Sequence, residues 1–96
     1  MKVEYAKRAV RDLEDIAAFY AGSDTPAAAA NVAARIREVV ARVAKFPQSG
    51  RPVGERPGVR VAALLHYPYL VFYAVGDDAV RIVHVRHTAR QPWSGG

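Results

Sequence analysis

The sequence contains no cysteine, so neither a disulfide nor the usual thiolate zinc site has its ligands here. Its three histidines show no metal-ligand spacing, and neither a metal nor a cofactor is expected. No run of residues is long and apolar enough to span a bilayer. The opening "MKVEYAKRAV" meets charge at once, without the apolar centre of a signal peptide. A cytoplasmic protein without membrane association is the expectation. Acidic side chains are scarce in the second half: Glu55 is the only one between Glu38 and Asp77, and none follows Asp78. Internal repeats are absent, and the only biased tract is an alanine run at 27–30.

What is present fits a small globular chain. Of 96 residues, 51% are hydrophobic and 24% charged, which supplies one modest core and stands apart from the polar composition of disordered segments. One domain over 1–96 is expected. The formal charge is +5, and 11 of the 14 basic residues are Arg. Arg favours planar, bidentate partners such as phosphate and carboxylate, which points to nucleic acid or an acidic protein. A compositional preference for Arg and Ala, visible in "AAAANVAARIREVVARVA", is the competing explanation.

Residues 2–5, "KVEY", alternate as a short strand with Val3 and Tyr5 on one face. From Lys7 to Ala21, Val10, Leu13, Ile16, Ala17 and Tyr20 recur at helical steps, with Arg11, Asp12, Glu14 and Asp15 outside. Gly22 ends this helix, and Asp24 or Thr25 with Pro26 opens a second. The second runs from about residue 26 to 46, with Val32, Ile36, Val39, Val43 and Phe46 as its inner stripe and Pro47 as its stop. The intervening residues 47–58, "PQSGRPVGERPG", hold three prolines and three glycines and read as a loop. Strands follow at 59–65, 69–75 and 79–87, joined tightly by "HYP" and "GDD". The fold class is therefore α+β: a helical hairpin packed on a small, mainly antiparallel sheet, in the order β-α-α-β-β-β.

The last strand, "AVRIVHVRH", leads into "TARQPW", and this cationic ending draws attention as a working surface. Alternation puts Val80, Ile82, His84 and Arg86 on one face and Arg81, Val83, Val85 and His87 on the other. Both sets contain apolar residues, so the strand reads as central and covered on both faces. His84 is then a core or edge histidine satisfied by backbone, whereas His87, at the strand end beside Arg90, is a candidate functional residue. Arg60, alone among apolar neighbours, reads as an exposed-face residue or part of a basic surface. Tyr67, Tyr69 and Tyr73 can stack bases, though Tyr69 and Tyr73 share a face and read more simply as packing.

The order of elements, the "FPQSGRP" exit from the second helix, the "YLVFY" strand and the "IVHVRHTARQPW" ending together resemble the RelE/ParE superfamily of toxins from type II toxin–antitoxin systems. The resemblance spans nearly the whole chain. It implies a growth-arresting toxin neutralised by a cognate, ParD-like antitoxin. An acidic antitoxin segment that folds on contact would suit a +5 domain, with Leu13, Phe19 and Tyr20 as its candidate groove.

The superfamily divides by mechanism. RelE-type members cut messenger RNA on the ribosome, which demands a base, cations for the phosphorane and an acid. The Arg that follows the first Tyr of the third strand in that pattern is Leu70 here, the second Arg falls near Thr88, and the C-terminal Tyr is missing. Trp93 cannot donate a proton in its place. If a nuclease, the chain would draw on Arg60, Arg86 and His87, with Glu55 as the one local carboxylate. ParE-type members resemble inhibitors of DNA gyrase, and Ile82, Val85, His87 and Arg90 reproduce their last-strand pattern. The closer resemblance is to ParE. It implies a non-enzymatic inhibitor with Arg60, Arg86, His87, Arg90 and Trp93 as target-binding residues. The alternatives are a RelE-like messenger endoribonuclease and a remnant that only binds antitoxin.

Overall fold

The computed structural model of the chain describes residues 1–23, 25 and 27–89. Strand β1 (Lys2–Tyr5) is followed by helix α1 (Lys7–Ala21) and helix α2 (Ala27–Lys45). A single 3-10 turn (Pro47–Ser49) leads to strands β2 (Arg51–Pro52), β3 (Val59–Ala63), β4 (Tyr69–Val75) and β5 (Ala79–His87). The five strands form one sheet in the order β1-β5-β4-β3-β2, antiparallel except for the β1–β5 pair. Both helices lie on one face of it. The expected α+β arrangement is the observed one, with the two-residue β2 added inside the Pro/Gly loop. Pro52 has no amide hydrogen to donate, which suits the outermost strand.

The core lies between the helices and the sheet. Val32, Ile36, Val39, Val40 and Val43 from α2 and Ala9 and Ile16 from α1 meet Tyr69, Val71 and Tyr73 of β4 and Val80, Ile82 and Val85 of β5. The stripe expected on α1 is rotated. Ala9 is fully buried and, being small, lets the helix approach the sheet, while Val10 is 43% exposed. On α2, Phe46 leaves the expected stripe and is exposed. The residue before a proline is driven out of helical geometry. Phe46 accordingly takes φ −130° and ψ 77°, and the helix stops at Lys45. The strand expected at 59–65 ends at Ala63; Leu65 is exposed and His66 turns the chain with φ 69°.

The alternation expected for β5 is also corrected. Phe72 pairs with His84 but Tyr73 pairs with Ile82, so Val83 is an extra residue, a β-bulge. The bulge reverses the phase of the strand. Val80 and Ile82 before it and Val85 and His87 after it face the helices, whereas Arg81, His84 and Arg86 face the other way. The strand is central, but its helix-free face is cationic rather than a second apolar layer.

Candidate target-contact face and partner groove

Residues directly opposite each other in paired strands share a face, so the register locates the strand side chains of the helix-free surface. One row across the sheet is Ala63, Leu70, Arg86; the next is Arg51, Val61, Phe72, His84; the third is Val59, Ala74, Arg81, Glu4. Arginines thus stand at three corners of an apolar centre. Phe72 is only 6% exposed although neither helix covers it. The His84 ring stacks on it at 5.7 Å with an interplanar angle of 21°, and the Arg86 guanidinium carbon lies 5.7 Å from its centroid, within cation–π range.

His84 is held from a helix. Its Nδ1 lies 2.7 Å from Asp12 Oδ2, and the same oxygen accepts the Val85 backbone N–H at 3.0 Å. The topology creates the need for this contact. β1 has four residues and pairs only with Ala79–Ile82, so the second half of β5 has no strand on that side. A buried backbone donor left without an acceptor is costly, and the Asp12 carboxylate on α1 meets it. Burial pushes the His84 pKa below 6.5; the Asp12 hydrogen bond and charge oppose that shift, and Arg8 and Arg86 reinforce it. The neutral imidazole therefore donates its Nδ1–H to the carboxylate. At Nδ1 the partner of His84 is thus a side chain, where backbone was the expectation.

The residues singled out in the sequence do not converge. Arg60 pairs with Tyr73 and so faces the helix side. Its Nη1 donates to the carbonyls of Gly50 at 2.6 Å and Gln48 at 3.3 Å. The buried Tyr73 hydroxyl completes this clamp, accepting from Gly50 N–H and donating to the Pro47 carbonyl, both at 2.8 Å. His87 also faces the helix side, edge-on to Tyr69 at 5.2 Å, with Nδ1 accepting the Ala89 N–H at 3.0 Å. Arg86 alone of the three lies on the helix-free face. Arg90 and Trp93 lie outside the described residues, as do Asp24 and Pro26. Glu55 is exposed in the β2–β3 loop. Tyr67 packs against the core edge and Tyr69 and Tyr73 lie within it. Among the described residues no three His, Asp or Glu side chains converge on a metal position. No described helix is long and apolar enough to cross a membrane.

A second surface lies along α1. Tyr5, Val10, Leu13, Glu14 and Ala17 line an open groove of about 360 Å³ beside β1, the edge strand. Leu13 is in this groove. Tyr20 is half-buried, edge-on to Tyr67 and Tyr69 at 6.4 Å, and Phe19 stands beside it with 70% of its surface exposed. Of the candidate groove residues Leu13, Phe19 and Tyr20, Leu13 alone lines this groove, and Tyr5, Val10 and Ala17 were not singled out as its wall. The signal available was the width of the α1 stripe, which is more than one sheet contact can cover.

Two helices packed on one face of a mixed five-strand sheet are also the architecture found in solved toxin–antitoxin systems. The fold is that of the chromosomal ParDE system of P. aeruginosa, at a TM-score of 0.77 and 26% identity over 91% of this chain and 95% of that one. A chain of the intact E. coli RelBE toxin-antitoxin complex shares the fold at a TM-score of 0.67 and 16% identity, covering 94% of this chain and 98% of that one. In sequence, the chain is 40% identical to the "Putative toxin Y4kP" of Sinorhizobium fredii (strain NBRC 101917 / NGR234) over 92 residues, 96% of this chain and 92% of that protein. It is 33% identical to the toxin RelE2 of Caulobacter vibrioides (strain ATCC 19089 / CIP 103742 / CB 15) over 93 residues, 93% of this chain and 97% of that protein. The model of the family "ParE toxin of type II toxin-antitoxin system, parDE" matches residues 3–92. The chain belongs to this ParE toxin family.

Proposed function

We propose that this toxin is a cytoplasmic inhibitor of DNA gyrase, neutralised by a cognate ParD-like antitoxin. The observation that carries the reading is the helix-free face, where Arg51, Arg81 and Arg86 surround Val61, Leu70, Phe72 and Ala74. Such a surface suits recognition by charge and shape. Phosphodiester cleavage has a different requirement, a base, an acid and cations within reach of one phosphate. The candidates for those roles, Arg60, Arg86 and His87, are divided between two faces, and Arg60 is occupied with the turn after α2. Arg86 is accordingly the principal described target contact; Arg90 and Trp93, outside the described residues, are proposed beside it from the sequence alone. His87 lies on the helix side of the strand end, and Arg60 supports the fold there.

The antitoxin is assigned to the α1 groove and the Phe19 aromatic edge. A partner helix laid beside α1 would bury Tyr5, Val10, Leu13 and Ala17 together. The likeness to a ParDE system and to a RelBE complex supports a partner of this kind. The competing reading, a ribosome-dependent messenger ribonuclease, draws on the name of the Caulobacter relative, RelE2. Purified toxin incubated with gyrase and supercoiled plasmid distinguishes the two. Accumulation of enzyme-bound cleaved plasmid, abolished by antitoxin, is expected. Intact plasmid together with cut messenger on programmed ribosomes would overturn the proposal.

A further inference from the structure

We infer that Asp12, on α1, is a positioning residue for Arg86, acting through the β5 bulge, His84 and Phe72. The inference rests on the reading above that Arg86 meets the target. Four observations lead to it. Were Val83 part of regular alternation instead of bulged out of it, Arg86 would face the helices alongside Val80 and Ile82; the bulge turns it to the free face. Asp12 Oδ2 then holds the strand just past the bulge, through the Val85 N–H at 3.0 Å, one residue before Arg86. The same oxygen fixes the His84 ring at 2.7 Å. That ring lies against Phe72, and Phe72 is the surface on which the Arg86 guanidinium rests.

One carboxylate therefore fixes both the backbone that carries Arg86 and the aromatic support of its head group. A long arginine side chain loses considerable rotamer freedom when it binds, and a guanidinium held in place beforehand loses less. Asp12 itself needs no access to the target. It is half-buried behind the edge of β5, and its effect is transmitted by geometry.

The test separates placement from activity. By NMR, the Arg86 δ-methylene protons of the wild-type toxin are expected to show the ring-current shift of Phe72. Asp12→Ala should lose that shift, and Asp15→Ala, altering an exposed acid on the same helix, should keep it. Should Asp12→Ala not fold, Asp12→Asn serves, with the shift reduced. In the plasmid cleavage assay, Asp12→Ala and Arg86→Ala should each lose about tenfold in potency. The double variant should lose no more than Arg86→Ala alone, because both changes remove the same placed group. Losses that multiply, or an Arg86 shift that survives Asp12→Ala, would overturn the inference. A wild-type toxin that traps no gyrase would remove the proposed target, and the NMR comparison would still decide whether Asp12 positions Arg86.

Discussion

Asp12 and His84, 72 residues apart in the chain, are joined by a 2.7 Å hydrogen bond that closes the edge of β5 left bare by the short first strand. Side chains such as Asp12 are usually counted as the solvated face of an amphipathic helix. Here the carboxylate is part of the sheet's hydrogen bonding. Removing it leaves the His84 Nδ1–H and the Val85 N–H without their acceptor. Asp12→Ala should lower unfolding free energy by about 2–3 kcal/mol, the cost of buried donors left unmet, and Asp12→Asn by about 1 kcal/mol, since an amide oxygen still accepts. Urea melts check both. Equal stability of all three proteins would contradict this role.

The same pair makes stability depend on pH in a definite direction. Burial holds the His84 pKa in the folded protein below 6.5, with Asp12 and Arg8 of α1 and Arg86 of β5 as the charged groups around the ring. The unfolded chain therefore binds the proton more readily than the folded one. The stability contribution is complete above 6.5 and is lost as pH falls through the window beneath it. His84→Gln should flatten this part of the profile. A wild-type melting temperature that rises on acidification below 6.5 would contradict the assignment.

The clamp after α2 predicts a third result. Tyr73→Phe removes the hydroxyl that serves both Gly50 N–H and the Pro47 carbonyl, and should cost about 2–3 kcal/mol. Gly50→Ala should be at least as severe. A Cβ there would stand 2.8 Å from Tyr73 Cε1 and 2.9 Å from the Val61 carbonyl oxygen, closer than real contacts allow. Arg60→Ala should lose about 1–2 kcal/mol of stability through its bonds to Gly50 and Gln48. An Arg60→Ala protein of unchanged melting temperature that no longer acts on its target would make Arg60 a contact residue instead.

On α1, Val10→Glu places a charge in the groove at a position already 43% exposed in the free toxin. It should leave the melting temperature within a few degrees of wild type and weaken antitoxin binding by about ten- to a hundredfold, as changes at buried interface anchors do. Calorimetric titration of the antitoxin measures it. Unchanged affinity would move the antitoxin to another surface.

Much of this architecture is legible in the residues, and the parts that are not have identifiable causes. The alternation of "KVEY", the β-branched and aromatic run "YLVFYAV" and the three- and four-residue steps of α1 are local patterns, so β1, β4 and α1 follow from them. The bulge at Val83 is set by pairing with β4 across the sheet, and "VRIVHVRH" carries no local mark of it. That one residue reverses which side chains share a face with Arg86. Asp12 escapes notice for a related reason: its neighbours Arg11, Glu14 and Asp15 are exposed, and nothing local distinguishes it. The mismatch between a four-residue β1 and a nine-residue β5 was the available clue, because parallel pairing of the two leaves β5 donors that require an acceptor. Arg60 reads as a surface cation because its partners, the carbonyls of residues 48 and 50, come from a loop whose path depends on the buried Tyr73.

A titration of toxin against a fixed amount of gyrase and plasmid tests most directly whether the protein acts by occupying its target rather than by turnover. Cleaved plasmid should rise with added toxin and level off once toxin matches gyrase, with ribosome-bound messenger left whole at the same concentrations. Extensive cutting of that messenger by toxin far below the ribosome concentration, with gyrase unaffected, would contradict the account.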